Sequence, residues 1–399
     1  MRRVVITGMG AVTPYGASVQ KLWAGLVKGA SALKYDERLK FVTGQIDNVD
    51  LSGWTAGKLR EMSRASVMAL LAAEEAVNQA NASELDHEGT LVNIGTCMAD
   101  LEHIGEAYEL VKGGNSRKVS PFFVPRILNN LPAGYVAMKY NMKGGVESTS
   151  TACATGLHCL GGAFRAVRDG YADRALAGAS ECAVNSVALN GFERMRALAR
   201  GTTPDISRPF DDGRNGFVLS EGSGLIFMET LESAQKRGAH VIAEILGYGI
   251  SSDAHHISVP DKSGVGAVLS MERAIKDSKL EKDQIGYINA HATSTPAGDA
   301  IEASAIRQVF ADHPVHVSSF KGHIGHLLGA AGSVEAIGTV CSVVDGQIPA
   351  NLNLNKSKEE EKVSLVKSTI AWDKDRKIAL VNSFGFGSTN ASLVVGSYA

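Results

Sequence analysis

The 399-residue sequence, with 44% hydrophobic and 21% charged residues, has the composition of a globular protein with a large core. Its formal net charge of -2 points to no class of partner, and its 6% aromatic content argues against a surface that stacks nucleic-acid bases. Five cysteines without CxxC spacing argue against a disulfide framework or a thiolate metal site and indicate a reducing compartment, and no apolar run reaches transmembrane length.

The first half of the chain alternates apolar strand patterns with helix patterns. The strand "VVITGMG" begins within the first few residues, so we expect no signal peptide before it. A helix and the strand "LVNIGT" follow, and four apolar residues fall on one face of that helix: Val67, Leu70, Leu71 and Val77. A helix from Cys153 to about Arg168, a strand "RALAGAS" and a strand "SGLIFMET" complete this half.

The second half repeats this plan. It runs from "VIAEILGYGI" through a helix near 264–279, a strand "IGYINA", a helix from about Asp299, a strand "VHVSS" and a small-residue helix near 329–345 to "KIALVNS" and "ASLVVG". Two stretches look like matching closing hairpins, "FVLSEGSGLIFMET" and "VNSFGFGSTNASLVVG". Nearly continuous apolar runs are typical of sheets covered on both faces. The sequence therefore predicts a duplicated α/β fold with halves 1–239 and 240–399.

Cys153 stands between small hydroxylated residues and a predicted helix in "STACATGLH". A thiol at a helix N-terminus faces unpaired N–H groups and the positive end of the helix dipole, which lower the pKa of the thiol and favour a nucleophile. A buried structural cysteine is the alternative, and this motif alone does not separate the two.

His291 directly follows the apolar run "IGYINA" and so stands at the end of a predicted strand. Thr293, Ser294 and Thr295 add hydroxyl groups before a turn and a helix. Loops at strand ends carry catalytic residues in α/β folds. A capping turn with a satisfied histidine is the alternative for this motif.

Lys321, His323 and His326 lie within six residues in "KGHIGHLLGAAG", between a strand and a helix. A helix N-terminus disfavours imidazolium, and a neutral ring can still donate an N–H to a developing oxyanion. Glu335, inside an otherwise small and apolar helix, needs a partner, and Lys321 is the candidate. Metal ligation is disfavoured because no further histidine or carboxylate stands at a usual ligand spacing.

Phe386 is flanked by Gly385 and Gly387 in "NSFGFGSTN". Glycine-flanked loops can turn backbone N–H groups toward a substrate, and an aromatic side chain there can move as a gate. A tight hairpin without function is the alternative.

Taken together and in this order, the four stretches resemble the motifs of the β-ketoacyl-acyl carrier protein synthases, the condensing enzymes of thiolase fold in type II fatty acid synthesis. The resemblance runs from "RRVVITGMG" to the C-terminus and includes "KVSPFFVPRI", "RPFDDGRNGFVLSEG" and "GYGISSDAHHIS". It implies two pseudo-symmetric halves in a five-layer αβαβα arrangement. His326 indicates the elongating type with a Cys-His-His triad, and "HATST" is similar to mitochondrial members.

Two positions depart from the family pattern. Ser388 stands where members usually have the last glycine of "GFGGTN", and a positive φ there would strain a serine. His323 stands where relatives often have a small residue, and its place in the motif ranks it below His326 for catalysis.

The resemblance implies a decarboxylating Claisen condensation of acyl and malonyl groups, without a redox cofactor or a catalytic metal. Cys153 would carry the acyl chain, and the backbone N–H groups of Cys153 and Phe386 would form the oxyanion hole. His291 and His326 would donate to the malonyl thioester carbonyl, and Lys321, paired with Glu335, would hold them electrostatically.

The resemblance also implies how substrates reach the site. The phosphopantetheine arm would arrive on an acyl carrier protein and bond Thr293 and Thr295, with Phe386 as a gate and Asp253 in a second gating loop. The carrier is acidic, so a basic docking rim is expected, with these candidates: Lys58, Arg60, Arg64, Arg117, Lys118 and Arg196. A homodimer in the mitochondrial matrix is expected, with the bacterial cytoplasm as the alternative and no binding of nucleic acid or insertion into a membrane.

Three other functions fit the residues less well. A thiolase needs a second cysteine as base in the C-terminal half, but Cys341 lies inside a predicted helix. A non-catalytic partner that only sets chain length would lack the nucleophile. A Cys-His hydrolase would not require Lys321 and two histidines that converge on one carbonyl.

Overall fold

A computed structural model describes residues 1–47, 49–311 and 313–398. The strands and helices of the first half, within these residues, are β1 (Val4–Thr13), β2 (Gly16–Ala17), α1 (Val19–Lys28), β3 (Lys34–Asp36), β4 (Phe41–Thr43), α2 (Ala56–Glu61), α3 (Arg64–Gln79), β5 (Thr90–Gly95), α4 (Leu101–Lys112), α5 (Phe123–Ile127), α6 (Leu131–Tyr140), β6 (Val146–Glu147), α7 (Thr155–Asp169), β7 (Arg174–Glu181), α8 (Ser186–Arg194), β8 (Gly222–Thr230) and α9 (Leu231–Lys236).

The second half contains β9 (Ala243–Ser251), α10 (Val265–Ser278), β10 (Tyr287–Asn289), α11 (Pro296–Phe310), β11 (His316–Ser318), α12 (Lys321–Ile324), α13 (Ala331–Asp345), β12 (Gln347–Ile348), β13 (Ser364–Leu365), β14 (Ile370–Ala371), β15 (Ile378–Gly385) and β16 (Thr389–Gly396). Short 3-10 helices lie at Ser116–Lys118, Pro204–Ile206, Lys282–Gln284, Leu328–Ala330 and Lys358–Glu361.

Both halves arrange their strands in the same order. The first half reads β1-β8-β7-β5-β6 and the second reads β9-β16-β15-β10-β11. In each half the first two pairings are antiparallel and the last two are parallel. β1 also pairs with β9 over three residues, which joins the two sheets. The shared order confirms the duplication expected from the sequence.

The helices form three layers around the two sheets. α3 packs against β1 and β8 on one outer face, and α10 packs against β9 and β16 on the other. α7 and α13 lie in the middle, in contact with each other and with strands of both sheets. The result is the αβαβα arrangement, in which the middle helices meet where the halves join.

A G-x-G sequence in the first strand of each half lets the outer helix approach the strand closely. A Cβ atom on Gly10 would come within 1.9 Å of the Ala72 carbonyl oxygen, and a Cβ atom on Gly249 within 2.1 Å of the Ser270 carbonyl oxygen. Only glycine fits at these two positions, so "GMG" in β1 and "GYG" in β9 serve the same packing purpose.

The middle helix α13 is unusually apolar. In the described part of the chain, the segment Leu328–Asp345 is long and apolar enough to cross a membrane, and 89% of it is buried within the fold. A helix that packs between two sheets needs apolar residues on every face, and this packing explains its composition.

Three sequence predictions differ from the structure. α7 begins at Thr155 rather than at Cys153, and α11 begins at Pro296 rather than at Asp299. "VNSFGFGSTNASLVVG" is a hairpin, but "FVLSEGSGLIFMET" is not, because β8 pairs with β7 on one side and β1 on the other. The residues before β8 form isolated bridges to distant segments, which no local pattern in the sequence reveals.

Candidate active site

Cys153 lies in a four-residue turn just before α7. The Ala154 N–H donates to the Thr151 carbonyl oxygen at 3.1 Å, which makes Ala152 and Cys153 the central residues of the turn. Ala152 has a φ of 49°, in the left-handed region. That conformation costs a residue with a side chain about 1–2 kcal/mol. It persists only where the surrounding structure holds it.

Hydroxyl groups from two elements hold this turn in place. Thr155, the first residue of α7, accepts a hydrogen bond from the Thr151 N–H at 2.9 Å through Oγ1. From the β15–β16 hairpin, Ser383 donates to the Cys153 carbonyl oxygen at 2.7 Å and Thr389 donates to the Thr151 carbonyl oxygen at 3.0 Å. The turn of the first half is therefore fixed partly by the second half.

Cys153, His291 and His326 line one cavity of about 530 Å³. His326 Nε2 is 3.0 Å from Cys153 Sγ, and the rings of the two histidines have centroids 5.4 Å apart and cross at 81°. One donor atom of each residue lies within 4.8 Å of the other two. The first half thus supplies a thiol and the second half supplies two imidazoles to a common point.

Both histidines are neutral rings near a positive charge. Burial lowers the pKa of His291 and of His326 well below the usual value, and the Lys321 ammonium lowers both further. Lys321 donates to Glu335 in an ion pair whose side chains are 1% exposed. Burial raises the pKa of Glu335, and the Lys321 charge opposes that rise. The predicted Lys321–Glu335 partnership is therefore present.

The environment of the thiol differs from the sequence prediction. Burial raises the pKa of Cys153 to about 12, and Lys321 offsets only part of that rise. Desolvation by burial, which disfavours the charged thiolate, is the largest cause of this rise. The prediction of a lowered pKa is wrong for the resting site, which holds a neutral thiol beside a neutral imidazole.

Glu302 is a site residue that the sequence analysis missed. Its buried carboxylate accepts hydrogen bonds from the backbone N–H groups of His291 at 2.9 Å and Ala292 at 2.7 Å, and from the Asn382 side-chain amide at 3.1 Å. Burial raises the pKa of Glu302 to about 7. An acidic residue inside the apolar helix pattern "DAIEASAI" was the signal that could have found it.

The hydroxyl residues after His291 point to different places. Thr293 and Thr295 line the cavity with their Oγ1 atoms 3.1 Å apart, so both face the route to Cys153. Ser294, with a φ of 69°, instead accepts a hydrogen bond from the Arg208 N–H at 3.0 Å. The two threonines are therefore available to a ligand, whereas Ser294 is used in the fold.

His323 is committed to the core rather than to the cavity. Its side chain is fully buried, and Nε2 lies 3.0 Å from the Ala350 carbonyl oxygen. Burial lowers the pKa of His323 to about 4. The position of His323 agrees with its lower rank in the sequence analysis.

Phe386 lies at the tip of the β15–β16 hairpin, is 38% exposed and lines the cavity. The two residues after it are bound to the loop before α10. The Gly387 N–H donates to the Ile257 carbonyl oxygen at 2.7 Å, and the Ser388 hydroxyl donates to the His256 carbonyl oxygen at 3.3 Å. Ser388 has a φ of 63°, so this position does strain the serine.

Asp253 belongs to the loop that faces this hairpin. Its Oδ1 accepts a hydrogen bond from the Asn390 side-chain amide at 2.9 Å, and Asp253 also lines the cavity. The loop and the hairpin are thus joined by side chain and by backbone at the same edge of the cavity.

The basic residues considered for docking separate into two groups. Arg64 is bound within the chain, because it pairs with Glu221 at 2.8 Å and donates to the Ile46 carbonyl oxygen at 2.7 Å. Arg64 is exposed all the same, as are the other five: Lys58, Arg60, Arg117, Lys118 and Arg196. Arg196 lies between two residues that line the cavity, Met195 and Ala197.

The thiol and the two imidazoles are also close enough together to bind one metal ion. The sequence argument against a metal considered only the spacing of ligands along the chain. It could not take into account that residues 153, 291 and 326 converge in the fold. The expectation of chemistry without a metal therefore stays a prediction.

The duplicated strand order, the five layers and a thiol at the junction of the two halves define a thiolase-like fold. Two family models match the chain, "Beta-ketoacyl synthase, N-terminal domain" over residues 1–234 and "Beta-ketoacyl synthase, C-terminal domain" over residues 242–355. The chain belongs to the β-ketoacyl synthase family.

Similar curated proteins cover nearly the whole chain. The "3-oxoacyl-[acyl-carrier-protein] synthase, mitochondrial" of Arabidopsis thaliana is 41% identical over 99% of this chain and 93% of its own length. A protein of Schizosaccharomyces pombe with the same name, marked as putative in its source, is 39% identical over 98% of both. The "3-oxoacyl-[acyl-carrier-protein] synthase 2" of Vibrio cholerae is 39% identical over 98% of both.

Solved structures share the whole fold. The ishigamide ketosynthase/chain length factor matches with a TM-score of 0.92 and 31% identity, over 100% of both chains. A ketosynthase in complex with its acyl-carrier protein, from a type II PKS, matches with a TM-score of 0.91 and 30% identity, also over 100% of both.

Proposed function

We propose that the chain is a 3-oxoacyl-[acyl-carrier-protein] synthase that elongates acyl chains by decarboxylating Claisen condensation. The observation that carries the proposal is the convergence of one thiol and two neutral imidazoles, within 4.8 Å, in a single cavity. A thiol can hold an acyl group, and two neutral donors can stabilise an enolate at the same place.

In the first step, Cys153 Sγ attacks the thioester carbon of an acyl carrier. His326 Nε2, 3.0 Å away, accepts the thiol proton as the sulfur–carbon bond forms. The backbone N–H groups of Cys153 and Phe386 would bind the oxyanion. The carrier thiolate leaves and takes the proton, so that acyl-Cys153 remains beside a neutral ring.

In the second step, a malonyl carrier occupies the same cavity. His291 and His326 each donate an N–H to its thioester carbonyl oxygen while carbon dioxide departs, which stabilises the enolate. Between the two steps the ring proton of His326 moves from Nδ1 to Nε2. The Nε2 atom can therefore accept a proton in the first step and donate an N–H in the second. The enolate carbon attacks the carbonyl carbon of acyl-Cys153, the carbon–sulfur bond breaks, and Cys153 leaves as a thiolate that takes up a proton from solvent. The 3-oxoacyl product on the carrier is two carbons longer.

The residues around the cavity suit this order of events. Thr293 and Thr295 would bond the phosphopantetheine arm. Phe386 would act as the gate to the acyl pocket, and Asp253, bound to Asn390, would belong to the facing loop. The proposed chemistry uses no resident redox cofactor or metal. The pantetheine arm arrives on the carrier and is not a resident group.

We further propose an acidic acyl carrier protein as the partner. A similar structure of a type II ketosynthase in complex with such a carrier supports this assignment. The docking rim would include the five exposed basic residues Lys58, Arg60, Arg117, Lys118 and Arg196, without Arg64, whose charge is already paired.

A homodimer and a mitochondrial location are part of the same proposal. The β6 edge of the large sheet is exposed, and so are Met138 on α6, which contacts β6, Val124 on α5 and Leu128 just after α5. A second copy would cover them. Relatives named mitochondrial support a mitochondrial location, for which we propose the matrix, and bacterial relatives keep the cytoplasm as the alternative. The shared strand order supports a division of the chain into 1–239 and 240–399.

Mass spectrometry tests the function directly. After mixing with acyl carriers of increasing chain length, the added acyl mass should lie on the peptide that contains Cys153, and malonyl carrier should then release a 3-oxoacyl carrier. Acylation at another residue, or no product after acylation of Cys153, would contradict the proposal.

A further inference from the structure

His158 lies on the second turn of α7 and faces back toward the turn that carries Cys153. Its Nδ1 is 2.7 Å from Thr151 Oγ1. The ring also bonds the backbone of Asn390 on β16, and the Tyr248 ring packs edge-on against it with centroids 6.4 Å apart. His158 therefore touches the nucleophile turn and the gating hairpin at once.

The surroundings of His158 keep its ring neutral. Burial lowers the pKa of His158 to about 4, so the ring is neutral and has a single N–H. A hydrogen bond with the Asn390 backbone favours a proton on the ring and opposes part of this lowering. Nδ1 and the Thr151 hydroxyl share one hydrogen bond, whose donor depends on which ring nitrogen carries the proton.

We propose that His158 is a positioning residue for acyl transfer, which holds the strained turn of Cys153 through its hydrogen bond with Thr151. The inference rests on the proposed function. Thr389 fixes the Thr151 carbonyl from β16, and His158 fixes the Thr151 hydroxyl from α7, so that the residue before the strained Ala152 cannot rotate.

The second half of the site does not depend on this hydrogen bond. Glu302 holds the backbone of His291, and the backbone N–H of His326 donates to the Val218 carbonyl oxygen at 2.8 Å. Loss of the His158 bond should therefore disturb attack by Cys153 and leave decarboxylation by the two histidines intact. A residue that merely stabilises the fold would affect both reactions together.

Two variants of His158 separate its two hydrogen bonds. His158→Gln places an amide near the Nε2 position, which keeps the Asn390 contact and removes the Thr151 contact. His158→Asn places an amide near the Nδ1 position and keeps the Thr151 contact. Thr151→Val removes the same bond from its other end.

The rate at which acyl carrier acylates Cys153, followed by mass spectrometry, is the first measurement. We expect His158→Gln and Thr151→Val each to lower this rate about ten- to a hundredfold, because small misplacements of a reacting atom have effects of this size. The double variant should be no slower than the slower single variant, and His158→Asn should acylate at close to the parent rate.

Decarboxylation of malonyl carrier in the Cys153→Gln background is the control. Adding His158→Gln to that background should change the decarboxylation rate by less than about twofold, as for independent sites. Equal losses in both reactions, or an unchanged acylation rate in His158→Gln, would overturn the inference. Failure of the unaltered protein to acylate at Cys153 would instead contradict the proposed function itself.

Discussion

The turns before α7 and α13 occupy equivalent places in the two halves, and they differ in the side chain that follows the strained residue. Ala152 and Leu328 each stand three residues before the helix begins, with φ values of 49° and 46°. The next residue is Cys153 in the first half and Gly329 in the second. The duplication has thus preserved the strained backbone and changed the chemistry.

The surroundings of Gly329 explain why the position equivalent to Cys153 has no side chain in the second half. A Cβ atom on Gly329 would lie 2.8 Å from a carboxylate oxygen of Glu181 and 3.1 Å from the Cys97 amide nitrogen. Both neighbours come from the first half. The second half places His291 and His326 in loops beside its turn instead. In the proposed function, one copy would therefore supply the nucleophile and the other the two hydrogen-bond donors.

Close packing of α7 against α13 brings the two turns together. A Cβ atom on Gly156 would come within 2.6 Å of the Ser333 amide nitrogen, and one on Gly332 within 2.8 Å of the Leu157 Cγ. A larger residue at either glycine would push the middle helices apart. The comparison teaches that the site combines a backbone conformation shared by the two halves with different side chains in the two turns.

Removal of the thiol tests the division of work most severely. Cys153→Ala should abolish condensation, because no group remains to hold the acyl chain. Cys153→Gln should lose condensation and keep malonyl decarboxylation, because that step belongs to the histidines of the second half. Products of both variants would be quantified by mass spectrometry. Persistent 3-oxoacyl product from Cys153→Ala would refute the assignment.

Lys321→Met sharpens the electrostatic side of the comparison. It leaves Glu335 buried without a partner and should lower the free energy of unfolding by about 3–5 kcal/mol, as for other broken buried pairs. The matched control is Lys321→Met with Glu335→Gln, which should recover much of the loss. Denaturant unfolding measures both, and equal stabilities for the two variants would show that the ion pair does not matter.

The pH dependence of decarboxylation distinguishes neutral from charged histidines. The pKa values of His291 and His326 lie well below 6.5, so neither histidine should cause a loss of decarboxylation by Cys153→Gln from about pH 8 to about pH 6, whereas Glu302, whose pKa is raised to about 7, titrates in that range. In the unfolded chain these two histidines gain protons below about pH 6.5, whereas in the folded protein they do not. Each should therefore lower the free energy of unfolding as the pH falls through that range. A rate that halves near pH 6.5 would argue against neutral rings held by burial.

The smallest effect is expected in the hairpin that links the halves. Ser388→Gly should raise the free energy of unfolding by about 1 kcal/mol, because glycine adopts a φ of 63° without strain. Ser388→Ala is the control, since it keeps the strain and loses the bond to the His256 carbonyl. Thermal unfolding of both should show a gain for glycine alone, and no gain for glycine would mean that the turn is unstrained.

Much of the fold and site was predictable because it follows from local patterns. Continuous apolar runs identified the buried strands, and small residues identified the middle helices. Cys153, His291, His326, Lys321 and Glu335 were singled out where polar residues interrupt such runs, and their roles were predicted from the resemblance to the β-ketoacyl synthases. The repeated order of elements was enough to predict two similar halves, although one of the two predicted hairpins was wrong.

Only the tertiary structure decided how those residues behave. The pKa of Cys153 rises because segments from both halves exclude water from the sulfur, and no local sequence carries that information. Glu302 holds the His291 loop, and Arg64 forms an ion pair with Glu221, through contacts with residues elsewhere in the chain. Local sequence determined which chemical groups are present. Long-range packing determined the pKa values of these groups, their hydrogen-bond and ion-pair partners, and which of them lie close together.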